Sequence, residues 1–190
     1  MREVHEIRWM SFYNSLNAIC RSWKALCKYF QSHKADSSRT KGLFENITDY
    51  KFVCCMYLMM DIIPSLAALS MTMQKQDLDI SSVRPAIDGI FSAVDQALSS
   101  KSYYQQLLHT SHMKKDVKMK QVTVQGVKVT VSNEENIREA QKSFGSTRTS
   151  FLKSPKDQLD RRFPKKELKV ATSFQALGLR PLSFLSRENY

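Results

Sequence analysis

Residues 52–73, FVCCMYLMMDIIPSLAALSMTM, form the most apolar run of the chain. As a helix such a run is about 33 Å long, enough to cross a bilayer or to form the axis of a helical core. Asp61 stands near its centre, where insertion costs about 3 kcal/mol, and Ser65, Ser70 and Thr72 dilute its second half. The run is therefore predicted to be a central helix enclosed by neighbours, with no membrane as partner. Pro64 lacks the N–H of one ladder bond and is predicted to kink it. Met56, Met59 and Met60 read as adaptable core filling.

A core helix needs amphipathic partners, and the flanking sequence supplies them. From Ser11 to about Gln31, Phe12, Leu16, Ile19, Cys20, Trp23, Leu26, Cys27 and Phe30 recur at steps of three and four, with Ser11 as the expected N-cap. Residues 32–42 read as a polar loop. Residues 74–82 read as a polar connection whose Ser81 or Ser82 would cap a third helix, marked by Val83, Ile87, Ile90, Phe91, Val94, Ala97 and Leu98 and continuing weakly through Tyr104, Leu107 and Leu108. Only five Gly and five Pro in 190 residues argue against many short strands. The expected fold is mainly α, with residues 1–113 forming a helical bundle core.

At Lys114 the pattern changes. Val122 and Val124, then Val127, Val129 and Val131, alternate about Gln125-Gly126, the signal of a small β-hairpin. Ser132 to Glu135 fits a capping box opening a polar helix through about Phe144, and residues 155–178 read as a further helix interrupted by Pro164 and ended by Gly178. Residues 114–190 are thus expected to be a second, basic segment, partly mobile. Basic residues outnumber acidic ones eight to three in residues 1–41 and seventeen to eight in 114–190, whereas acids lead seven to four in 42–113, and the whole chain carries +11.

Motifs for chemistry are missing. The chain has no Gly-rich phosphate loop, HExxH, GxSxG or EF-hand loop. Cys20 and Cys27 lie two helical turns apart and Cys54 and Cys55 are adjacent, so all four read as small buried hydrophobes rather than ligands or disulfide partners. His109 and His112 are close, but no carboxylate or thiol joins them at ligand spacing. Asp61 is the one candidate for a buried acid, and Asp88 and Asp95 share a helix face as ordinary charges do. The expectation is no catalytic residue, no metal, no cofactor and no small-molecule substrate. MREVHEIRWM lacks the apolar run of a signal peptide, so secretion is not expected.

Binding is a different matter. KKDVKMK at 114–120 and RRFPKKELK at 161–169 offer Lys114, Lys115, Arg161 and Arg162 to phosphate, with Phe151, Phe163 and Phe174 able either to stack on bases or to enter the core. DNA is accordingly one candidate partner, and protein, including a second copy of the chain, is another. RRFPKK also has the character of a nuclear-import patch, placing the chain in the nucleus, otherwise in the cytoplasm.

The segment IRWMSFYNSLNAICRSWKALCKYF resembles hAT-superfamily transposases and their domesticated descendants, often fused to zinc fingers, in which an Arg-Trp pair precedes Ser, an aliphatic stretch and W-x-A-L-x-x-Y-F. Here these positions are Arg8, Trp9, Ser11, Leu16, Trp23, Ala25, Leu26, Tyr29 and Phe30. DYKFVCCMYLMMDIIPSLAALSMTMQKQDLDISSVRPAI, and more loosely RFP and SFQAL, follow the same family's order. The resemblance implies the helical insertion of an RNase H-like catalytic domain whose metal-binding acids lie outside these residues. It also implies that Trp9 could stack on a displaced base and Arg8 meet phosphate, whereas the residues alone allow Trp9 to be a staple under the helix opening at Ser11. The expected function is that of a catalytically inactive interaction or scaffolding module; the alternatives are nucleic-acid binding through the basic C-terminal segment, with Arg8 and Trp9 as further contacts, or part of a DNA transposase whose catalytic acids lie outside this chain.

Overall fold

The computed structural model describes residues 4–75, 80–99, 106, 120–132, 134, 136–164 and 173, with side chains from Met10 onward except at 80 and 81. Among them are five helices, α1 (Val4–Ser32), α2 (Ser38–Ile47), α3 (Tyr50–Met73), α4 (Ile80–Leu98) and α5 (Ile137–Arg162). Strands β1 (Gln121–Val124) and β2 (Val127–Thr130) form a two-stranded antiparallel sheet between α4 and α5. The fold is mainly α with a small β-hairpin, as the hydrophobic periodicities predict.

The apolar run becomes the core helix. Asp49 caps α3 by accepting from the backbone N–H of Lys51 at 2.9 Å and of Phe52 at 3.3 Å. Val53, Cys54, Met56, Tyr57, Leu58, Met60, Ile62 and Ile63 are all buried, and α3 packs against α1, α4 and α5. Asp61 is half-buried and Pro64 lies within the helix, which continues on both sides of it. By length and composition α3 is still the one helix, among the described residues, that could cross a membrane, and half of its most apolar window is buried here.

Several boundaries depart from the sequence reading. α1 begins at Val4 and runs through Arg8, Trp9 and Ser11, so Ser11 is an exposed interior residue rather than the cap, and Trp9 is not a staple beneath a helix start. The physical reason is that residues 1–41 contain no Gly or Pro, and an exposed Ser in a helix costs only about 0.5 kcal/mol. The loop expected at 32–42 is shorter, because Ser37 caps α2 by accepting from Thr40 N–H at 3.1 Å. α4 already starts at Ile80, which puts Ser81 and Ser82 inside its first turn, and the weak continuation through Tyr104, Leu107 and Leu108 lies outside the described residues.

The largest correction concerns the C-terminal helices. The cap is Asn136, which accepts from Glu139 N–H at 3.1 Å, four residues beyond the predicted Ser132. From there one helix of 26 residues replaces the two expected. Ile137, Ala140, Phe144, Leu152 and Leu159 are its buried residues, and they carry one apolar face across the Ser/Thr-rich middle. Phe163 ends the helix with φ −128° and ψ 67°, outside the α region that the following Pro164 disfavours. Residues 165–178, apart from 173, lie outside the description.

Three consecutive residues tie α1, the hairpin and α3 together. Ile47 carbonyl oxygen accepts from the Trp23 indole at 3.0 Å, Thr48 carbonyl accepts from Thr130 N–H at 2.9 Å, and the Asp49 side chain caps α3. Val122 faces Val129 across the ladder and Val124 faces Val127, which puts all four valines on one side of the ribbon. Val124, Val129 and Val131 enter the cluster that also holds Trp23, Tyr57, Val94 and Leu152. Hairpin, α5 and the first four helices therefore share one core.

Candidate interaction surfaces

Two surfaces of the described structure carry residues whose side chains the core does not use. The first is a flank of α1. Its stripe Phe12, Leu16, Ile19, Trp23, Leu26 and Phe30 is one helical row, yet it is sealed unevenly: Trp23 is 0% exposed, Ile19 38% and Phe12 47%. Beside it runs a second row at the same spacing of four and three, Ser11, Ser15, Ala18, Ser22 and Ala25, all exposed and uncharged. Small side chains let another helix approach closely, and the open large ones supply apolar area. Tyr29, the next position of the second row, is instead stacked on His33 at a centroid distance of 4.4 Å.

The second surface is the outward face of the hairpin. Gln121, Thr123, Gln125 and Lys128 are exposed there, while Lys120, exposed at the ribbon's open end, extends the ladder through its carbonyl, which accepts from Val131 N–H at 2.8 Å, and by strand alternation falls on the valine side. The turn has φ of 48° at Gln125 and 81° at Gly126, the two positive values that a tight two-residue hairpin needs. A methyl group built on Gly126 would stand 3.8 Å from the Lys24 ammonium nitrogen, so a cation from α1 borders the turn. Lys24, Lys120 and Lys128 take no part in the ion pairs Lys41–Glu45, Arg84–Asp88 and Lys156–Asp95. Lys24 lies some 170° around α1 from the middle of the uncharged flank, on helical spacing, so the two surfaces are separate.

The residues singled out from sequence fare unevenly. Arg161 and Arg162 are exposed in the last turn of α5, where positive charge also complements the helix dipole. They lie about 36 Å along that helix from its start beside the hairpin. Lys114 and Lys115 fall outside the described residues, as do the side chains of Arg8 and Trp9 and the pair His109 and His112. Phe151 is exposed on α5, Phe163 packs against the core, and Phe174 is outside the description. Asp88 and Asp95, read as ordinary charges, hold Arg84 at 2.8 Å and Lys156 at 2.6 Å.

Sequence reasoning missed Lys24 and Lys128 because the first is a hundred residues from the turn it borders. The second row on α1 was legible as a repeat of small residues, but nothing in sequence says which of two adjacent rows stays open.

Burial, not activation, governs the thiols. Desolvation pushes Cys27 up to about 11 and Cys54 to about 12, the latter opposed by a hydrogen bond from Tyr50 and aided by the charges of Cys55 and Asp49. Tyr50 is itself raised, first by burial and then by Cys54, while a hydrogen bond with Gln141 of α5 works in the other direction. Cys20 and Cys55 are raised by burial too. Thiols held protonated are poor nucleophiles. Among the described residues no three His, Cys, Asp or Glu side chains come together in a group able to hold a metal ion. No family model, no curated protein and no solved structure matches the chain.

Proposed function

We propose that this chain works as a non-catalytic interaction module and that its first partner is a second copy of itself, bound through the open flank of α1. The observation that carries this reading is the order of large and small residues along that flank. Reversed against its own copy about a two-fold axis between Ala18 and Ile19, the row places Phe12 opposite Ala25, Leu26 opposite Ser11, Ile19 opposite Ala18 and Ser15 opposite Ser22. In these pairs Phe12, Ile19 and Leu26 each meet a small residue, which is the condition for interdigitated packing, and an isologous interface requires a self-complementary patch. No charge interrupts the patch, so pairing juxtaposes no like charges.

The resemblance to the helical insertion of hAT transposases, whose metal-binding acids would lie outside these residues, supports the non-catalytic part of this reading. Sedimentation velocity of the purified chain tests it. The wild type should sediment as a concentration-dependent dimer, Ala18→Glu as a monomer, and Gln31→Glu, an exposed change away from the flank, as a dimer. A wild type that stays monomeric over the accessible concentrations, or an Ala18→Glu protein that still dimerises, refutes the proposal.

A further inference from the structure

We infer that the outer edge of β1 is a docking site for an extended peptide of a partner protein, which adds a third strand to the ribbon and carries an apolar residue followed two positions later by an acid.

The hydrogen-bond pattern shows which edge is open. Val131 N–H donates to the Lys120 carbonyl, and bonded pairs recur at every second residue of an antiparallel ladder, so Val122–Val129 and Val124–Val127 are bonded pairs too. Gln121 and Thr123 on β1, and Lys128 and Thr130 on β2, therefore aim their N–H and C=O groups away from the ribbon. On β2 the chain itself uses that edge: Thr130 N–H donates to the Thr48 carbonyl at 2.9 Å, and Thr130 forms a parallel bridge with Asp49. On β1, Gln121 and Thr123 are exposed, and among the described residues neither shares a backbone bond with a residue outside the ribbon.

The side chains along the edge select the occupant. Val122 is half-buried, and by strand alternation exposed Lys120 stands on the same side of the strand two residues away. An antiparallel third strand bonded to Gln121 and Thr123 sets one residue beside Val122 and, two positions further along its own chain, another beside Lys120. An apolar side chain suits the first place and a carboxylate the second, and the net charge of +11 favours an acidic partner. The β1 of a second copy answers less well, because QVTV brings no acid to Lys120. Idle edges are commonly blunted by proline or a bulge, whereas β1 has no proline and pairs residue for residue with β2.

Fluorescence anisotropy of the purified chain with a short labelled peptide of serine and threonine, carrying Val-Thr-Glu at its centre, tests the docking. Micromolar binding is expected, with a loss of about tenfold or more when the residues before and after the valine are N-methylated, since their N–H groups face β1. Thr123→Pro removes an edge N–H and leaves the ladder to β2 intact, so it should weaken binding as much with the circular dichroism unchanged. Lys120→Glu should weaken the Val-Thr-Glu peptide and strengthen a Val-Thr-Lys counterpart, an exchange that a lysine serving only to deter edge pairing would not produce. Binding indifferent to N-methylation would reduce the effect to charge and overturn the docking, as would no binding at millimolar peptide. Failure of the charge exchange would overturn the role of Lys120, and tighter binding of a peptide copying residues 118–126 would overturn the choice of partner.

Discussion

The Trp23 indole N–H donates to the Ile47 carbonyl oxygen at 3.0 Å, in a site where the tryptophan is 0% exposed. This bond closes the end of α2 against α1, and the next residue, Thr48, receives the hairpin. Trp23 is therefore a fastening between local and distant parts of the chain, in addition to filling the core.

Trp23→Phe removes the donor while keeping most of the apolar volume. A buried carbonyl left without its partner costs about 1 to 3 kcal/mol, so urea denaturation should show a loss of that size, larger again for Trp23→Ala. A loss below about 0.5 kcal/mol for the Phe variant would mean that the bond contributes nothing net.

Stability should fall in alkali. Cys27, Cys54 and Tyr50 have raised values in the folded chain, against ordinary ones of 9.0 for the thiols and 10.0 for tyrosine. Their stabilising contribution is complete below the unfolded values, because both states are then protonated. Above pH 9 the unfolded chain loses protons that the folded chain keeps, and the contribution declines through about 11 and 12. Thermal melts should thus be flat through neutral pH and fall from pH 9 upward, and Cys54→Ala should soften the decline. Native labelling with a thiol reagent at neutral pH should leave Cys27 and Cys54 unmodified.

The hairpin turn offers a test in both directions. Gln125 has a positive φ that asparagine tolerates better, so Gln125→Asn should stabilise by about 0.5 kcal/mol. Gly126 has φ 81°, and Gly126→Ala should cost about 1 to 2 kcal/mol through left-handed strain alone, since Lys24 leaves room for the added methyl. Chemical denaturation of both variants, with the wild type as reference, gives the sign of each.

Gly145 lies within the single long α5, and a Cβ built on it meets nothing within 4 Å. Gly145→Ala should raise stability by about 0.5 to 1 kcal/mol by restricting the unfolded chain. If residues 137–144 and 155–162 were instead separate helices with a hinge between them, this substitution would bring no such gain.

Helix content and the hairpin were legible because each rests on short-range rules. The 52–73 run declares a buried helix by its length and composition, and Gln125-Gly126 between alternating valines declares a ribbon by turn geometry. Boundaries were less legible. Ser11 and Ser132 have the chemistry of caps, but a cap is used only where the preceding residue leaves the helix, and at Ser11 nothing makes it leave. The joining of residues 137–144 to 155–162 was hidden for a related reason: the linking GSTRTS at 145–150 favours a break locally, and burial of Leu152 between Phe144 and Leu159 offsets that preference.

The candidate surfaces divide in the same way. Sequence alone determined that α1 carries two apolar or small rows, that the ribbon alternates valines with polar residues, and that the chain is strongly basic, since all three follow from periods of 3.6 and 2 and from counting charge. The tertiary structure decided which row is sealed, with Trp23 buried while Phe12 stays open, and it brought Lys24 to the turn at Gly126. Neither outcome is encoded within one helix or one strand, because exposure and charge proximity depend on which distant segment packs alongside.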